Sequence, residues 1–328
     1  MSEQISNEAV MDEKPLVTFA LFSYNQEKYI REAVEGALAQ TYSPLQIIIS
    51  DDCSPDRTFE IMEEMVATYI GPHEILLNRN KKNIGLADHI NHVMKLTKGE
   101  FVVVAAGDDV SLPERTSKLF AFFIQNNRPA VIFSDCEEIN VNGATWLGAP
   151  TRPIEQTYTE FLKNPRVWGA THAWCKQIVD KFPELNKSVS NEDLVFPVRA
   201  YILGRSPKML NEKLIKYRRD VRKIKGSSDL IARFFWQIWP SYSASKQILE
   251  DIEYVQEVEY GLYREVVCYA ERQKVVINVI KAYGAVDFVK KSWQCLRVFG
   301  VKKIIKLWSI RYGRVGLRER LLLDVFVK

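Results

Sequence analysis

The sequence lacks the devices that announce the common nucleotide and redox enzymes. The turn after its first apolar run, FSYNQEKYI (22–30), holds no glycine, so G-x-G-x-x-G is missing and no pyrophosphate can approach the backbone there. No G-x-x-x-x-G-K-[ST] loop and no G-x-S-x-G elbow occurs. The five cysteines (53, 136, 175, 268, 295) form no C-x-x-C pair. Their scatter and odd number argue against a zinc ribbon or a disulfide scaffold and favour a reducing compartment. No apolar run approaches about 18 residues, so no spanning helix is expected. The start, MSEQISNEAVMDEKP, is polar and acidic, without the apolar core of a signal peptide. Charge of one sign is also lacking: the formal net charge is +4 over 328 residues, too little for a nucleic-acid partner. Histidine is scarce as well, with four residues. His89 and His92 lie three apart on a helical pattern, a spacing that can suit a metal but more often reflects packing.

What is present is an alternation. LVTFALFSY (16–24), LQIIISDD (45–52), HEILLNRN (73–80), EFVVVAAGDD (100–109) and AVIFSDCEEI (130–139) read as strands. Between them, 27–40, 55–69, 84–97 and 112–126 carry apolar residues at helical spacing, the last begun by Pro113. Near-continuous apolar strands alternating with helices predict an α/β fold, a mostly parallel sheet covered by helices on both faces. In such sheets ligands bind beyond the carboxyl ends of the strands. The informative residues are therefore Ser23, Tyr24 and Asn25 after the first strand, Asp51 and Asp52 after the second, and Asp108 and Asp109 after the fourth.

Two adjacent carboxylates at a strand end repel unless something positive joins them. A divalent cation is one solution, since Mg²⁺ and Mn²⁺ take oxygen ligands and commonly share them with a diphosphate. A solvated helix cap is the other, and the motif alone decides evenly between them. Asp52 can accept hydrogen bonds from a ribose or base, whereas Asp51 reads better as turn chemistry. Tyr24 can stack on a base or be buried. NKKNIGLADHIN (80–91) offers Asn83, Gly85 and a helix N-terminus, which suit a phosphate-bearing ligand.

Taken in order, LVTFALFSYNQEKYIREAVEGALAQTYSPLQIIISDDCSPDRT and NKKNIGLADHINHVMKLTKGEFVVVAAGDDVSLPER resemble the family 2 glycosyltransferases of GT-A fold, a likeness that covers about residues 14–220. The resemblance implies that Tyr24 and Asp52 hold the nucleotide base, usually uracil, with Asn25 nearby. It implies that Asp108 touches the ribose and that Asp109 binds Mn²⁺ or Mg²⁺ on the donor diphosphate. Many members carry D-x-D-D here; this chain has Ala106-Gly107-Asp108-Asp109, so the first Asp is missing. An inverting transfer also needs a base, which the family places some 80 residues further on, often in an "ED" pair. SNEDLVFPVRAYILG (190–204) supplies Glu192 and Asp193: Asp193 is the expected base, Glu192 the second choice, and Ser190 can form a capping box with Asp193. VWGATHAWCK (167–176) corresponds to the stretch that lines the sugar pocket in the family. Trp168 or Trp174 would stack on a sugar there, or pack in the core, and His172 would add a polar contact.

Organisation follows from the same reading. Residues 1–14 are expected to be flexible, 15–225 to form the glycosyltransferase domain, and 226–328 to form a helical extension, with a boundary near Lys225-Gly226. From 285 to 328 the chain holds eleven Lys or Arg against three Asp or Glu, interleaved with Phe288, Trp293, Phe299 and Trp308. That pattern suits a helix lying on an anionic membrane, or packing on the catalytic domain or a second subunit. The resulting expectation is a cytoplasmic enzyme, peripheral on the inner face of the membrane. It would move a sugar from a nucleotide-diphospho-sugar, with UDP as the carrier, to a saccharide acceptor linked to polyprenyl diphosphate, as in O-antigen or capsule synthesis. The alternatives are a nucleotidyltransferase or a non-catalytic membrane-associated assembly protein on the same fold.

Overall fold

The five apolar runs become strands close to the positions that their patterns predict. The computed structural model describes residues 14–147, 153–219, 239–255, 258 and 260–280. The first strands are β1 (Val17–Ser23), β2 (Leu45–Asp51), β3 (Glu74–Arg79) and β4 (Phe101–Ala106), all mutually parallel in the order β3-β2-β1-β4. Helices α1 (Ile30–Leu38), α2 (Thr58–Ala67) and α3 (Leu86–Leu96) are the crossovers. They begin two or three residues later than expected, because Gln26, Asp56 and Gly85 spend the intervening residues on turns. The short β5 (Val110–Ser111) and α4 (Arg115–Gln125) lead into β6 (Val131–Asn140).

Strand side chains alternate between two cores. Phe19, Leu21, Ile47, Ile49 and Val103 face α1, α2 and α4 on one side. Ala20, Ile48, Val102 and Val104 face α3 on the other.

Besides the two-residue β5, two strands have no counterpart in the sequence expectation. β7 (His172–Cys175) enters antiparallel between β4 and β6, and β8 (Lys208–Arg219) runs parallel to β6 and antiparallel to β5. The whole sheet is β3-β2-β1-β4-β7-β6-β8-β5. Between β6 and β8 lie α5 (Tyr158–Lys163), α6 (Gln177–Asp180) and α7 (Phe196–Ile202). Two helices follow, α8 (Trp239–Tyr254) and α9 (Tyr260–Ile280), and they add Ile248, Ile252 and Val266 to the α3-side core. Among the described residues no helix is long and apolar enough to cross a membrane. The expected boundary near Lys225-Gly226, the basic stretch 285–328 and, of the start expected to be flexible over 1–14, all but residue 14 lie outside the described residues.

The topology fixes where a ligand can sit. From β1 the chain steps to β2 and β3 on one side, then returns to β4 on the other. The crevice beyond the β1 and β4 carboxyl ends is thus the switch point of the sheet. Gly107 brings these ends together: its N–H donates to Phe22 C=O at 2.9 Å, and a Cβ there would lie 2.8 Å from the Ser23 Cβ.

Candidate active site

At the switch point a cleft of about 290 Å³ is lined by Tyr24, Asn25, Gln26, Tyr29, Asp108, Val141 and Arg218. Tyr24 is 42% exposed and leaves a ring face open to solvent. Asn25 takes a left-handed backbone, φ 57°, which asparagine tolerates, and its N–H donates to Ser54 Oγ at 2.9 Å.

The second strand end is organised by its two aspartates. Asp51, wholly buried, accepts from Ser54 N–H at 2.9 Å and turns the chain, as its turn reading predicted. Asp52 accepts from Asn80 Nδ2 at 2.8 Å, Ile84 N–H at 3.0 Å and Gly85 N–H at 2.9 Å. It therefore holds the loop that presents Asn83, whose own Oδ1 accepts from the same Gly85 N–H at 3.1 Å. His89 belongs to packing. It is buried edge-on against Phe22, with Nε2 2.6 Å from Ser50 Oγ, and burial pushes its pKa down to about 4. Among the described residues no three His, Cys, Asp or Glu side chains converge as a metal cage.

The acidic pair of β4 is split by the structure. Asp108 stands half-buried on the cleft wall. Asp109 lies beneath it, 3% exposed, with Oδ1 accepting from Arg218 N–H at 2.7 Å. Burial, then the charge of Asp108, pushes the Asp109 carboxyl well above the usual carboxylate range. Sequence reasoning missed Arg218. Its Nε donates to Asp108 C=O at 2.8 Å, its Nη2 to Glu32 at 2.9 Å and its Nη1 to Asn140 C=O at 3.2 Å, while the guanidinium lies 4.5 Å from the Tyr29 ring. One cation thus ties α1, β6 and β8 to the acidic strand end. Its only signal is KYRR at the end of a strand whose charged residues hid it.

A second acidic cluster lies beside β7. Glu192 and Asp193 sit half-buried in a 3₁₀ turn, Glu192–Leu194, just before α7. Gly169 makes room for them: a Cβ there would collide with the Glu192 carboxylate, and its N–H donates to the Asp193 carboxylate. Burial raises both carboxyls, Glu192 to about 8 with help from the Asp193 charge, and Asp193 to about 6 against hydrogen bonds from Asn191 and Gly169. Asp193 Oδ1 is buried without a hydrogen-bond partner. Buried Arg115 joins the neighbouring Gly169–Thr171 turn to the sheet, donating through Nη2 to Val104 C=O and Ala170 C=O, both at 2.7 Å. Tyr217 on β8 lies within reach of both clusters: its phenol is pushed up by burial and by Asp109, Asp108 and Asp193.

Several expected contacts are corrected. Trp174 is fully buried in β7, edge-on to Phe196 at 4.4 Å, so it packs the core and cannot stack on a sugar. His172 is also fully buried; its Nδ1 accepts from Trp174 Nε1 at 3.4 Å, and burial lowers its pKa to about 3. Both follow from the inward register of an unforeseen strand. Ser23 turns under the sheet, with Oγ 3.3 Å from Ser50 C=O, and does not line the cleft. Ser190 forms no capping box. It precedes the N-cap residue, which is Asn191, and its hydroxyl donates to Asn191 Oδ1 at 3.3 Å. Of the two tryptophans expected to stack on a sugar, Trp168 is the partly exposed one, one residue before Gly169.

Comparison with known proteins agrees with this architecture. Residues 18–180 match the family described as Glycosyl transferase family 2. EpsE of Bacillus subtilis (strain 168), a protein bearing a glycosyltransferase name, is 28% identical over 222 residues, 66% of this chain and 78% of EpsE. The poly(ribitol-phosphate) beta-N-acetylglucosaminyltransferase TarS of Staphylococcus aureus is 27% identical over 60% of this chain, a stretch that spans only 34% of TarS. The TarS 1–349 structure with UDP-GlcNAc superposes with a TM-score of 0.59 at 16% identity, covering 95% of this chain and 90% of that one. A mannosyltransferase of Pyrobaculum calidifontis, solved with GDP-Man and Mn²⁺, gives a TM-score of 0.55 at 12% identity, covering 96% and 80%. At such identity these two likenesses speak for the fold, a GT-A Rossmann-like sheet.

Proposed function

Because this chain belongs to the family 2 glycosyltransferases, we propose that it moves a sugar, with inversion, from a UDP-sugar to a hydroxyl of a lipid-linked saccharide acceptor in surface-polysaccharide synthesis. The observation that carries the reading is the pair of acidic clusters around Tyr217. Asp108 faces the switch-point cleft, and Asp193 stands beside Gly169 with a buried, unpartnered carboxylate oxygen.

The donor lies in the cleft with its base against Tyr24. Asn25 stands beside the base, and Asp52 fixes the loop of Asn83 and Gly85 at its edge. The acidic pair fits Mn²⁺ or Mg²⁺. Asp108 is presented to the cleft, its repulsion of Asp109 is only partly offset by Arg218 and Arg115, and the absence of a cage among the described residues leaves phosphate oxygens and water as the other ligands. In this reading Asp108, on the cleft wall, faces the cation, and Asp109, expected to bind it, lies beneath with Oδ1 accepting from the Arg218 N–H of β8. Such a cation, when bound, offsets the charge of the departing diphosphate.

Asp193 is the base. At neutral pH its carboxyl, near 6, is ionised while Glu192, near 8, keeps its proton. Asp193 takes the acceptor hydroxyl proton as that oxygen bonds to the anomeric carbon. The bond to the diphosphate breaks on the opposite face, so an α-linked donor gives a β-linked product. A base so placed contributes about 10²- to 10⁴-fold. Trp168, partly exposed beside Gly169, offers an apolar face to the sugar. The lipid-linked acceptor is supported by the basic, aromatic stretch 285–328, and a polymeric acceptor by the relative TarS, whose name describes transfer to poly(ribitol-phosphate).

The test is a donor panel of UDP-, GDP- and dTDP-sugars with isolated lipid-linked oligosaccharides. Transfer from one UDP-sugar, with a β-linked product by NMR, is expected. Transfer with retained configuration, or from no donor, would reject the reading.

A further inference from the structure

The buried charges on the far side of the catalytic turn are not explained by the fold alone. Arg199 of α7 is 1% exposed and meets Asp251 of α8 in a bidentate pair, Nε to Oδ2 at 2.7 Å and Nη2 to Oδ1 at 2.9 Å. The same guanidinium donates to Ile178 C=O at 3.2 Å and Pro183 C=O at 2.8 Å, and lies 4.9 Å from the Phe182 ring. Gln247, one helical turn before Asp251, donates to Asp251 Oδ1 at 3.0 Å and accepts from Asn186 N–H at 2.6 Å. Asn91 of α3 ties the adjoining Leu185 through both its N–H and C=O. Apart from the Gln247–Asp251 bond within α8, each of these bonds ends on α7 or on the 178–186 segment, which together flank the Glu192–Leu194 turn.

A buried ion pair is poor value as a stabiliser, since apolar residues of similar volume often do as well or better. What it does supply is directional geometry. Helix α8 lies directly against α7 and the 3₁₀ turn, and Val195, the residue linking that turn to α7, closes back on Glu192 C=O at 2.9 Å. Movement of α7 is therefore movement of Asp193.

We propose that Arg199, Asp251 and Gln247 are positioning residues, a clamp by which the C-terminal helix α8 holds the Glu192–Asp193 turn at the acceptor side of the site. The helical extension is then part of the transfer machinery as well as an appendage. The inference rests on the assignment of Asp193 as base. None of the three touches the donor cleft, so the clamp acts on the chemical step and leaves donor binding alone. The groups facing Asp193 are Glu192 and Asn191 from its own turn, Gly169 N–H, and Tyr217 from β8; none lies on α8.

The test uses the full chain carrying Asp251→Asn and, separately, the apolar replacement Arg199→Met with Asp251→Leu. Thermal melting, UDP titration, transfer kinetics and the NMR titration of a ¹³C-labelled Asp193 carboxyl are followed in each. In Asp251→Asn, kcat should fall at least tenfold with donor KM and UDP affinity within twofold, and the Asp193 titration should shift from its wild-type midpoint. In the double variant melting should recover while kcat stays low. Full recovery of kcat along with melting would show that the pair only stabilises the fold and would overturn the proposal. So would an unchanged kcat in a folded Asp251→Asn chain. Should Asp251→Asn fail to fold, the double variant decides. A wild-type chain that transfers no sugar rejects the enzyme reading instead, and the clamp then stands or falls on whether the Asp193 midpoint moves.

Discussion

Asp193 and Glu192 are neighbours in sequence and share one partly buried turn, and burial raises both carboxyls. Glu192 goes further because it also feels the charge of Asp193, while Asn191 and Gly169 donate to Asp193 and offset part of its burial. For catalysis this predicts a kcat/KM that rises with pH and levels off above about 6, and an Asp193→Asn enzyme that binds UDP normally while transfer drops about 10²- to 10⁴-fold. For stability it predicts the opposite sign at Glu192. The unfolded carboxyl titrates near about 4.3 and the folded one near about 8, so the fold holds this proton more tightly. That contribution is complete below the unfolded value and is lost as pH rises through the folded one. Glu192→Gln should therefore melt higher than the wild type at pH 8.5, by an amount on the order of several kcal/mol, and match it near pH 4. Melts at the two pH values check it. At the other cluster, Asp108→Ala should abolish the Mn²⁺-stimulated part of UDP binding in a folded chain. Unchanged stimulation, measured by calorimetry, would return the cation to Asp109.

Elements carry the site because they bring strand ends together. Gly107 is the junction at the switch point. Gly107→Ala would push a Cβ 2.8 Å from Ser23 Cβ and 3.2 Å from Gln26 Cγ, and should cost about 1–3 kcal/mol in urea unfolding, with weakened UDP binding. The β1–α1–β2–α2–β3–α3–β4 half was legible because buried parallel strands write themselves as unbroken apolar runs, and Asp52 and Asp108 fall at their ends. β7 was not legible. Its four residues, HAWC, are too few for a period, and their aromatic character suited a sugar pocket as well as a core. β8 was hidden for another reason. KMLNEKLIKYRR carries seven charged or amide residues, and only Leu210 and Leu214 declare the face that joins the α1-side core. Missing β7 and β8 meant missing Arg218 and Tyr217, which they position, and misplacing His172 and Trp174. The split between Asp108 and Asp109 was equally beyond the sequence, since adjacent residues at a strand end point to opposite sides, and only the pairing of β8 shows which side is the cleft.

At the scale of the molecule, charge and chemistry are segregated. The basic stretch 285–328 lies outside the described residues, and its proposed role is to hold the enzyme at an anionic membrane where a lipid-linked acceptor would be. Full-length chain should float with anionic liposomes at low salt and release at high salt, and a chain ending near residue 284 should stay in solution; equal behaviour of the two would remove the role. Helices α8 and α9 would then connect that surface to the catalytic turn. The central claim, that this fold activates a nucleotide-sugar through Asp193, is tested most directly by nucleotide release. Wild-type and Asp193→Asn chains are incubated with Mn²⁺ and each UDP-sugar in the absence of acceptor, and UDP is measured. The account predicts slow UDP release from one donor by the wild type, with water in place of the acceptor, and at least a hundredfold less from Asp193→Asn. Equal release by both chains, or none from any donor, would contradict it.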